Sequence, residues 1–435
     1  MTPAARLQAA LDLMTDVDRD PRPADAVVST FLRARRGMTE GYRGAVLDLL
    51  DAVLRHRARL GWWLGALGHD DTPRARLLVW LAIGDNRGPD HAARHFTGAK
   101  DAPAGLTAGE RALLKRLQGK SIADPAMPEE VRLEVPDWAA GPLRRRFGTE
   151  FAAEMEAVLT PPPLDLRVNT LRTSRKEMLR TLASLGVPAE ATRLAPDGIR
   201  IRERLSLTRL SPLKTGEMEI QDEGSQLVAL LVDAQPGDRV ADFCAGAGGK
   251  TLALATRMAN KGHVAACDVS AGRLKRCAER VRKAGLHNVQ TQMLTSETDR
   301  WVKRRKGTFD RVLVDAPCSG TGTWRRNPDA RWRAAREEGL EHLVALQARI
   351  LASAARLVKP GGRLVYATCS LLIEENEAQM AAFLAAYPAF HVVPIAKVAP
   401  GLEGLSAAEY LSLTPARDGT DGFFAAVLQR AATPL

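Results

Sequence analysis

Five short apolar runs, at 239–243, 263–268, 289–294, 309–315 and 363–369, alternate with helical stretches such as SAGRLKRCAERVRKAG (270–285). Strands separated by helices cannot be joined as tight hairpins. Each connection must cross over a face of the sheet, so the pattern calls for parallel strands with helices on both sides. Two later runs, FHVVPI (390–395) and FFAAVLQR (423–430), would complete a mostly parallel seven-stranded sheet, a Rossmann-like α/β domain over residues 235–435.

At 435 residues the chain exceeds one ordinary core, and about 150 residues per domain predicts two or three domains. Residues 1–122 read as helix after helix: AVLDLLDAVLRHRARLGWWLGALG (45–68) and RARLLVWLAIG (74–84) repeat apolar residues at intervals of three and four. Prolines in ADPAMPEEVRLEVPDW (123–138) interrupt that period and suggest a linker. A strand in LDLRVN, a helix opening near Thr173 or Ser174, and strands at IRIRE (199–203) and MEIQD (218–222) then form a small α/β module within 123–234.

Apolar residues at 45% and charged residues at 26% are globular composition and exclude a disordered or fibrous chain. The five cysteines, Cys244, Cys267, Cys277, Cys318 and Cys369, are odd in number and form no C-x-x-C pair. No zinc or redox motif is therefore expected, and a reducing compartment is. Arg6, Asp12 and Asp16 interrupt any export signal, and no apolar run approaches the roughly 18 residues of a membrane span. The expectation is a cytoplasmic monomer without metal or membrane. A net charge of +11 favours a polyanionic partner. The arginine clusters LRARRG (32–37) and LRHRARLGWW (54–63) could face phosphates or line a solvated helix.

The turn DFCAGAGGKTLALA (242–255) joins a strand to a helix whose N-terminus can receive a charged ligand. It is not a Walker A loop, because Cys244 stands where the first glycine belongs, nor a dinucleotide fingerprint, because Thr251 replaces the third glycine. A leading acid, Asp242, would repel phosphate and welcome an ammonium. Asp268, ending the next strand, suits the two hydroxyls of a ribose. A nucleoside bearing an amino acid, S-adenosylmethionine, fits all three features.

Two thiols, Cys318 in DAPCSGTG and Cys369 in GGRLVYATCSLLIEENE, follow the carboxyl ends of further strands, where open α/β sheets bind ligands. Asp315 stands beside the first. A thiolate adding to carbon 6 of cytosine makes carbon 5 nucleophilic enough to take a methyl group from a sulfonium, and an acid at N3 supports the adduct. Either cysteine could be that nucleophile. Cys267, inside a strand, and Cys277, on one helix face with Leu274 and Val281, read as core.

The motifs DFCAGAGGKT, DAPCSGTGTWRRNPD and YATCS followed by ENE resemble the Sun/Fmu family of RNA cytosine-5 methyltransferases. The likeness extends to LDLRVNTLRTSR, TGEMEIQDEGSQ and DGTDGFFAAVLQR, over roughly residues 130 to 435. The N-terminal third is similar to the NusB-like RNA-binding domain of the bacterial ribosomal RNA members. The resemblance implies that Cys369 is the nucleophile, that Cys318 assists breakdown of the adduct, and that Asp315 lies between cofactor and base. It also implies that Cys244, Ala245, Gly246, Ala247, Gly248, Gly249, Lys250 and Asp268 hold the cofactor. Where the family ends its third strand with an acid near the adenine, this chain has Thr295 or Ser296, with Asp299 farther on, and Ala247 stands where the family commonly has proline.

Ribosomal RNA is the favoured substrate and transfer RNA the alternative. A DNA methyltransferase would use Cys318 instead, and a catalytically weak assembly factor would bind RNA without modifying it. The basic stretches WVKRRKG (301–307) and TWRRNPDARWR (323–333) are candidates for flanking phosphates.

Overall fold

The computed structural model describes residues 2–85, 87–203, 205, 207, 210–333, 339–399 and 409–432. They form two units. One comprises Met1–Thr160 with Trp324–Glu337, the other Pro161–Thr323 with Glu338–Leu435. The expected boundary at 122/123 lies inside the first unit and that at 234/235 inside the second.

The first unit is helical. Thr2 caps the opening helix Pro3–Arg19 by accepting from the Ala5 N–H at 3.2 Å, with Pro3 where its missing N–H costs nothing. The helical period read over 45–68 is carried by two helices, Glu40–Arg55 and Arg57–Ala66, which break at His56. Burial holds the His56 imidazole neutral, with its pKa lowered to about 4, and its ring stacks 4.9 Å from that of Trp80. Leu13, Val46, Leu60, Leu64, Leu77 and Leu113 are fully buried in the core.

The second unit carries two sheets. Strands β1 (Leu164–Val168), β2 (Glu190–Ala191), β3 (Gly198–Ile201) and β4 (Met218–Ile220) form an antiparallel sheet in the order β2-β3-β1-β4. Ser174 and Glu177 make the capping box of its helix, Arg175–Ser184. Asp165 holds Arg200 bidentately at 2.7 Å in both bonds, beneath the sheet's junction with helix Glu223–Leu231.

The larger sheet contains β5 (Arg239–Asp242), β6 (His263–Asp268), β7 (Val289–Met293), β8 (Phe309–Asp315), β9 (Val358–Thr368), β10 (Phe390–Val392) and β12 (Phe423–Arg430), ordered β10-β12-β9-β8-β5-β6-β7. A short strand not foreseen from the sequence, β11 (Leu411–Leu413), pairs with β12 off this path. Pairings among β5 to β9 are parallel, and those of β12 are antiparallel. Alternate residues divide between two cores: Val240, Val264, Leu313, Val365 and Val427 pack on one face, and Ala241, Cys267, Val312, Leu364 and Leu428 on the other. That two-sided burial produces the continuous apolar runs from which the strands were legible. Strand order reverses at β5, which makes the carboxyl ends of β5 and β8 the switch point outside which open α/β sheets bind ligands.

The two sheets are welded through LDLRVNTLR. Asn169 Nδ2 donates to Gly216 O and Ala284 O, both at 2.9 Å, and Arg172 Nε donates to Ala284 O at 3.1 Å. Both side chains satisfy carbonyls at the end of helix Ala271–Ala284 that no further turn could reach.

Candidate active site

The glycine loop follows β5 and leads into helix Gly249–Arg257. Gly248 has φ of +88°, and a Cβ there would lie 2.6 Å from Cys277 Sγ, so only glycine fits. The fully buried Cys277 is therefore core packing against the loop. Ala245 N–H donates to Cys267 O at 2.8 Å, and Gly246 N–H to Asp268 Oδ2 at 2.9 Å. Ala247 O accepts from Arg280 Nη1 at 2.8 Å, while Arg280 Nη2 also pairs with Glu219 of β4 at 3.0 Å. A guanidinium thus restrains the loop at Ala247.

Three carboxylates end three neighbouring strands. Asp242 is fully buried; its Oδ2 accepts from Thr251 Oγ1 at 2.6 Å, and its Oδ1 has no partner among the described residues. Burial pushes its pKa up to about 7, against the pull of the Thr251 hydroxyl. Asp268 accepts the N–H of Gly246 on one oxygen and that of Ser270, at 2.7 Å, on the other, which leaves each a lone pair for a hydroxyl. Asp315 Oδ2 accepts from Lys250 Nζ at 2.7 Å. Burial alone would depress the Lys250 ammonium, but the charge and hydrogen bond of Asp315 outweigh it and hold the pKa above its ordinary value. Burial and the neighbouring carboxylates push the Cys244 thiol well up, so it stays protonated within the loop.

Thr295, just beyond β7, is exposed, and its N–H and Oγ1 donate to Asp299 Oδ2 at 2.8 and 2.7 Å. The N–H groups of Trp301 and Thr295, with the Thr295 hydroxyl, hold the Asp299 carboxyl down at about 2. The carboxylate absent from the strand's end is thus returned to it by a turn.

The two thiols meet. Cys318 Sγ lies 3.4 Å from Cys369 Sγ, across the ends of adjacent parallel strands β8 and β9, whose register aligns Asp315 with Ala367. Contact with Cys369 and burial push the Cys318 thiol well above its usual range, so it keeps its proton at neutral pH. Gly322 N–H donates to Cys369 O at 2.9 Å, and Gly422 N–H to Gly322 O at 2.8 Å. A Cβ on Gly322 would lie 2.2 Å from Gly422 O, a clash of backbone with backbone that no rotamer relieves. DGTDGFF is therefore the wall against which the Cys318 loop closes.

The stretch TWRRNPDARWR does not offer all its arginines to solvent. Arg325 and Arg331 are buried in the helical unit, where Arg331 Nη2 donates to Val158 O at 3.1 Å and its guanidinium lies 5.4 Å from the Trp324 ring. Of the N-terminal clusters, Arg55 is also buried; its Nη2 donates to Asp51 Oδ1 at 2.8 Å and to Arg325 O at 3.0 Å. Lys303, Arg304 and Lys306 of WVKRRKG are exposed. Residues given no role from the sequence also emerge: Gln347, Tyr366 and Glu375 lie behind the thiols, and the runs YATCS and ENE contained two of them, whereas nothing pointed to Gln347.

Residues 229–429 match the family described as 16S rRNA methyltransferase RsmB/F, and residues 135–208 match the ferredoxin-like domain of RsmF/B-like methyltransferases. A ribosomal RNA small subunit methyltransferase B from Sodalis glossinidius is 33% identical over 404 residues, covering 89% of each chain. Among solved structures, PH0851 superposes with a TM-score of 0.80 at 25% identity, covering 99% of both chains. A methyltransferase homolog protein from Pyrococcus horikoshii gives 0.60 at 30% identity, covering 71% of this chain and all 100% of its own. Matched over these two stretches and by a relative at 33% identity across 89% of its length, the chain belongs to the RsmB/F methyltransferase family, the Sun/Fmu family that its motifs resemble.

Proposed function

We propose that the protein methylates carbon 5 of a cytosine in small-subunit ribosomal RNA, with S-adenosylmethionine as donor and a covalent cysteine adduct as intermediate. The observation that carries this reading is the pair of thiols, 3.4 Å apart at neighbouring strand ends, with Asp315 and Lys250 close by in the chain's fold. Ribosomal RNA is favoured because the Sodalis relative is named for it. A cytoplasmic location follows from that substrate.

The orphaned, buried Oδ1 of Asp242 suits an ammonium, and Asp268 retains lone pairs for ribose hydroxyls. Cys244 to Lys250 would line the same cofactor, with Thr295 and its partner Asp299 toward the adenine. When bound, S-adenosylmethionine supplies an electrophilic methyl group. Cys369, as thiolate, adds to carbon 6 of the base and makes carbon 5 the nucleophile. The Lys250–Asp315 pair supports N3 as electron density moves onto the ring. After methylation a base takes the proton from carbon 5, the double bond reforms, and Cys369 leaves carbon 6 as thiolate. Protonated Cys318 donates to that leaving sulfur. A base within a helix must be unstacked to reach the thiol.

The function is tested by incubating the enzyme and methyl-tritiated S-adenosylmethionine with 16S rRNA from cells lacking this protein, then digesting to nucleosides. Label in 5-methylcytidine is expected; label confined to transfer RNA or DNA, or none at all, overturns the reading.

Cofactor binding should depend on pH through Asp242. Its pKa of about 7 in the free protein falls once an ammonium pairs with Oδ1, so binding releases protons near neutrality. Affinity should weaken as pH drops below about 7 and level off above it. Titration calorimetry in two buffers of different ionisation enthalpy measures the release, and Asp242→Asn should abolish it. Equal observed heats in the two buffers, which mean that no proton is released, would remove Asp242 from the ammonium site.

A further inference from the structure

We propose that Glu375 is the positioning residue that sets the separation of the two thiols, and that Glu375 and Asn376 of the ENE run form the clamp between their loops. The inference rests on the two-cysteine reading above for its consequence, but not for its geometry. Glu375 is fully buried. Its Oε1 accepts from Ser319 N at 2.8 Å and from Gln347 Nε2 at 2.8 Å; its Oε2 accepts from Ser319 Oγ at 2.5 Å and from Ser370 Oγ. Ser319 follows Cys318, and Ser370 follows Cys369. One carboxylate therefore ties together the residues next to both sulfurs.

Its surroundings make that grip rigid. The backbone O of Glu375 accepts from Tyr366 OH at 2.7 Å, and Gln347 Nε2 also donates to Pro317 O at 3.0 Å, one residue before Cys318. Asn376 Nδ2 donates to Ser370 O at 2.9 Å, while Thr368 Oγ1 donates to Asn376 Oδ1 at 2.5 Å. Thr321 Oγ1 accepts from Leu371 N at 2.8 Å, a second tie between the loops. A buried carboxyl group is stable only when its polar atoms are satisfied, and here both oxygens receive two donors each. A network so satisfied holds one arrangement, as a site requires where misplacement by about 1 Å can cost about 100-fold in rate.

The donor set also separates charge from geometry. Ser319 N–H and Gln347 Nε2 can only donate, so a glutamine at 375 must turn its oxygen toward them. Its amide NH2 would then face the hydroxyls of Ser319 and Ser370, which can rotate to accept. Glu375→Gln should keep the clamp, and Glu375→Ala should lose it.

The test reads the distance between the sulfurs without requiring methyl transfer. Phenylarsine oxide joins two thiols to one arsenic with loss of one water, and only when they can approach as Cys318 and Cys369 do. In the full chain, tight one-to-one capture that disappears in Cys369→Ala is expected, with Glu375→Gln retaining it. Glu375→Ala should lose capture affinity by about tenfold or more, because the second thiol no longer binds as an intramolecular partner. It should still bind S-adenosylmethionine and react at single thiols with iodoacetamide. Ser370→Ala, which cuts only the arm to Cys369, should shift capture the same way by less and keeps the test open if Glu375→Ala does not fold. Undiminished capture in Glu375→Ala, or in Ser370→Ala should the former not fold, overturns the clamp. Failure of the two-cysteine mechanism would appear instead as wild-type turnover in Cys369→Ala, whatever the arsenical reports.

Discussion

Cys369→Ala should lower methyl transfer by on the order of 10⁴-fold or more and abolish the covalent RNA complex, whereas Cys318→Ala should accumulate that complex. The opposite phenotypes follow from one distance. At 3.4 Å, Cys318 is close enough to donate to the sulfur of Cys369 but keeps its own proton, because that contact and burial both disfavour its thiolate. Removing Cys369 removes the bond to carbon 6. Removing Cys318 leaves that bond able to form but deprives the departing sulfur of its donor, so the adduct persists. Denaturing gels of enzyme with RNA and cofactor separate the outcomes. An adduct formed by Cys369→Ala and absent from Cys318→Ala would exchange the roles and favour the DNA-type arrangement.

Asp315→Ala should reduce methyl transfer by about 10²–10⁴-fold and lower stability by about 2–3 kcal/mol, for separable reasons. The rate falls because addition at carbon 6 loses its support at N3. Stability falls because Lys250, with 9% of its side chain exposed, keeps its ammonium without a counter-charge. The double variant Lys250→Met with Asp315→Ala should recover most of the stability and none of the rate, since it removes the buried cation together with its partner. Thermal melts and single-turnover methylation distinguish the two effects. A double variant no more stable than Asp315→Ala would mean that the pair is not what the aspartate stabilises.

Several features of the chain make the thiol pair more than two neighbouring cysteines. Gly322 allows the Cys318 loop to lie against Gly422, and the Cys369 carbonyl accepts from Gly322 N–H at 2.9 Å. Asp222, which caps helix Glu223–Leu231 through Gly224 N–H at 2.8 Å, also accepts from Asp421 N–H at 3.2 Å. Motifs far apart in the chain, EIQDEGSQ and DGTDGFF, are thus the joined supports of one strand-end surface.

Seven of the large sheet's strands and its glycine loop were legible because their signals are local: apolar runs mark buried strands, and a tight turn needs glycine at fixed positions. The expected strand at 363–369 begins earlier, at Val358, since its first turns lack the apolar run, and β2 and β11, of 2 and 3 residues, are too short for any period. The break at His56 was hidden because apolar spacing continues across it. Arginine clusters could not be sorted by composition, since a guanidinium serves equally to meet a phosphate or, as Arg55 and Arg331 do, to satisfy buried carbonyls. Cysteines 51 residues apart come to 3.4 Å, and Glu375 reaches Ser319 across 56, only because β8 and β9 pair in one register. Nothing local encodes that register. It is chosen by the packing of both sheet faces at once, and with it the distance between the two thiols.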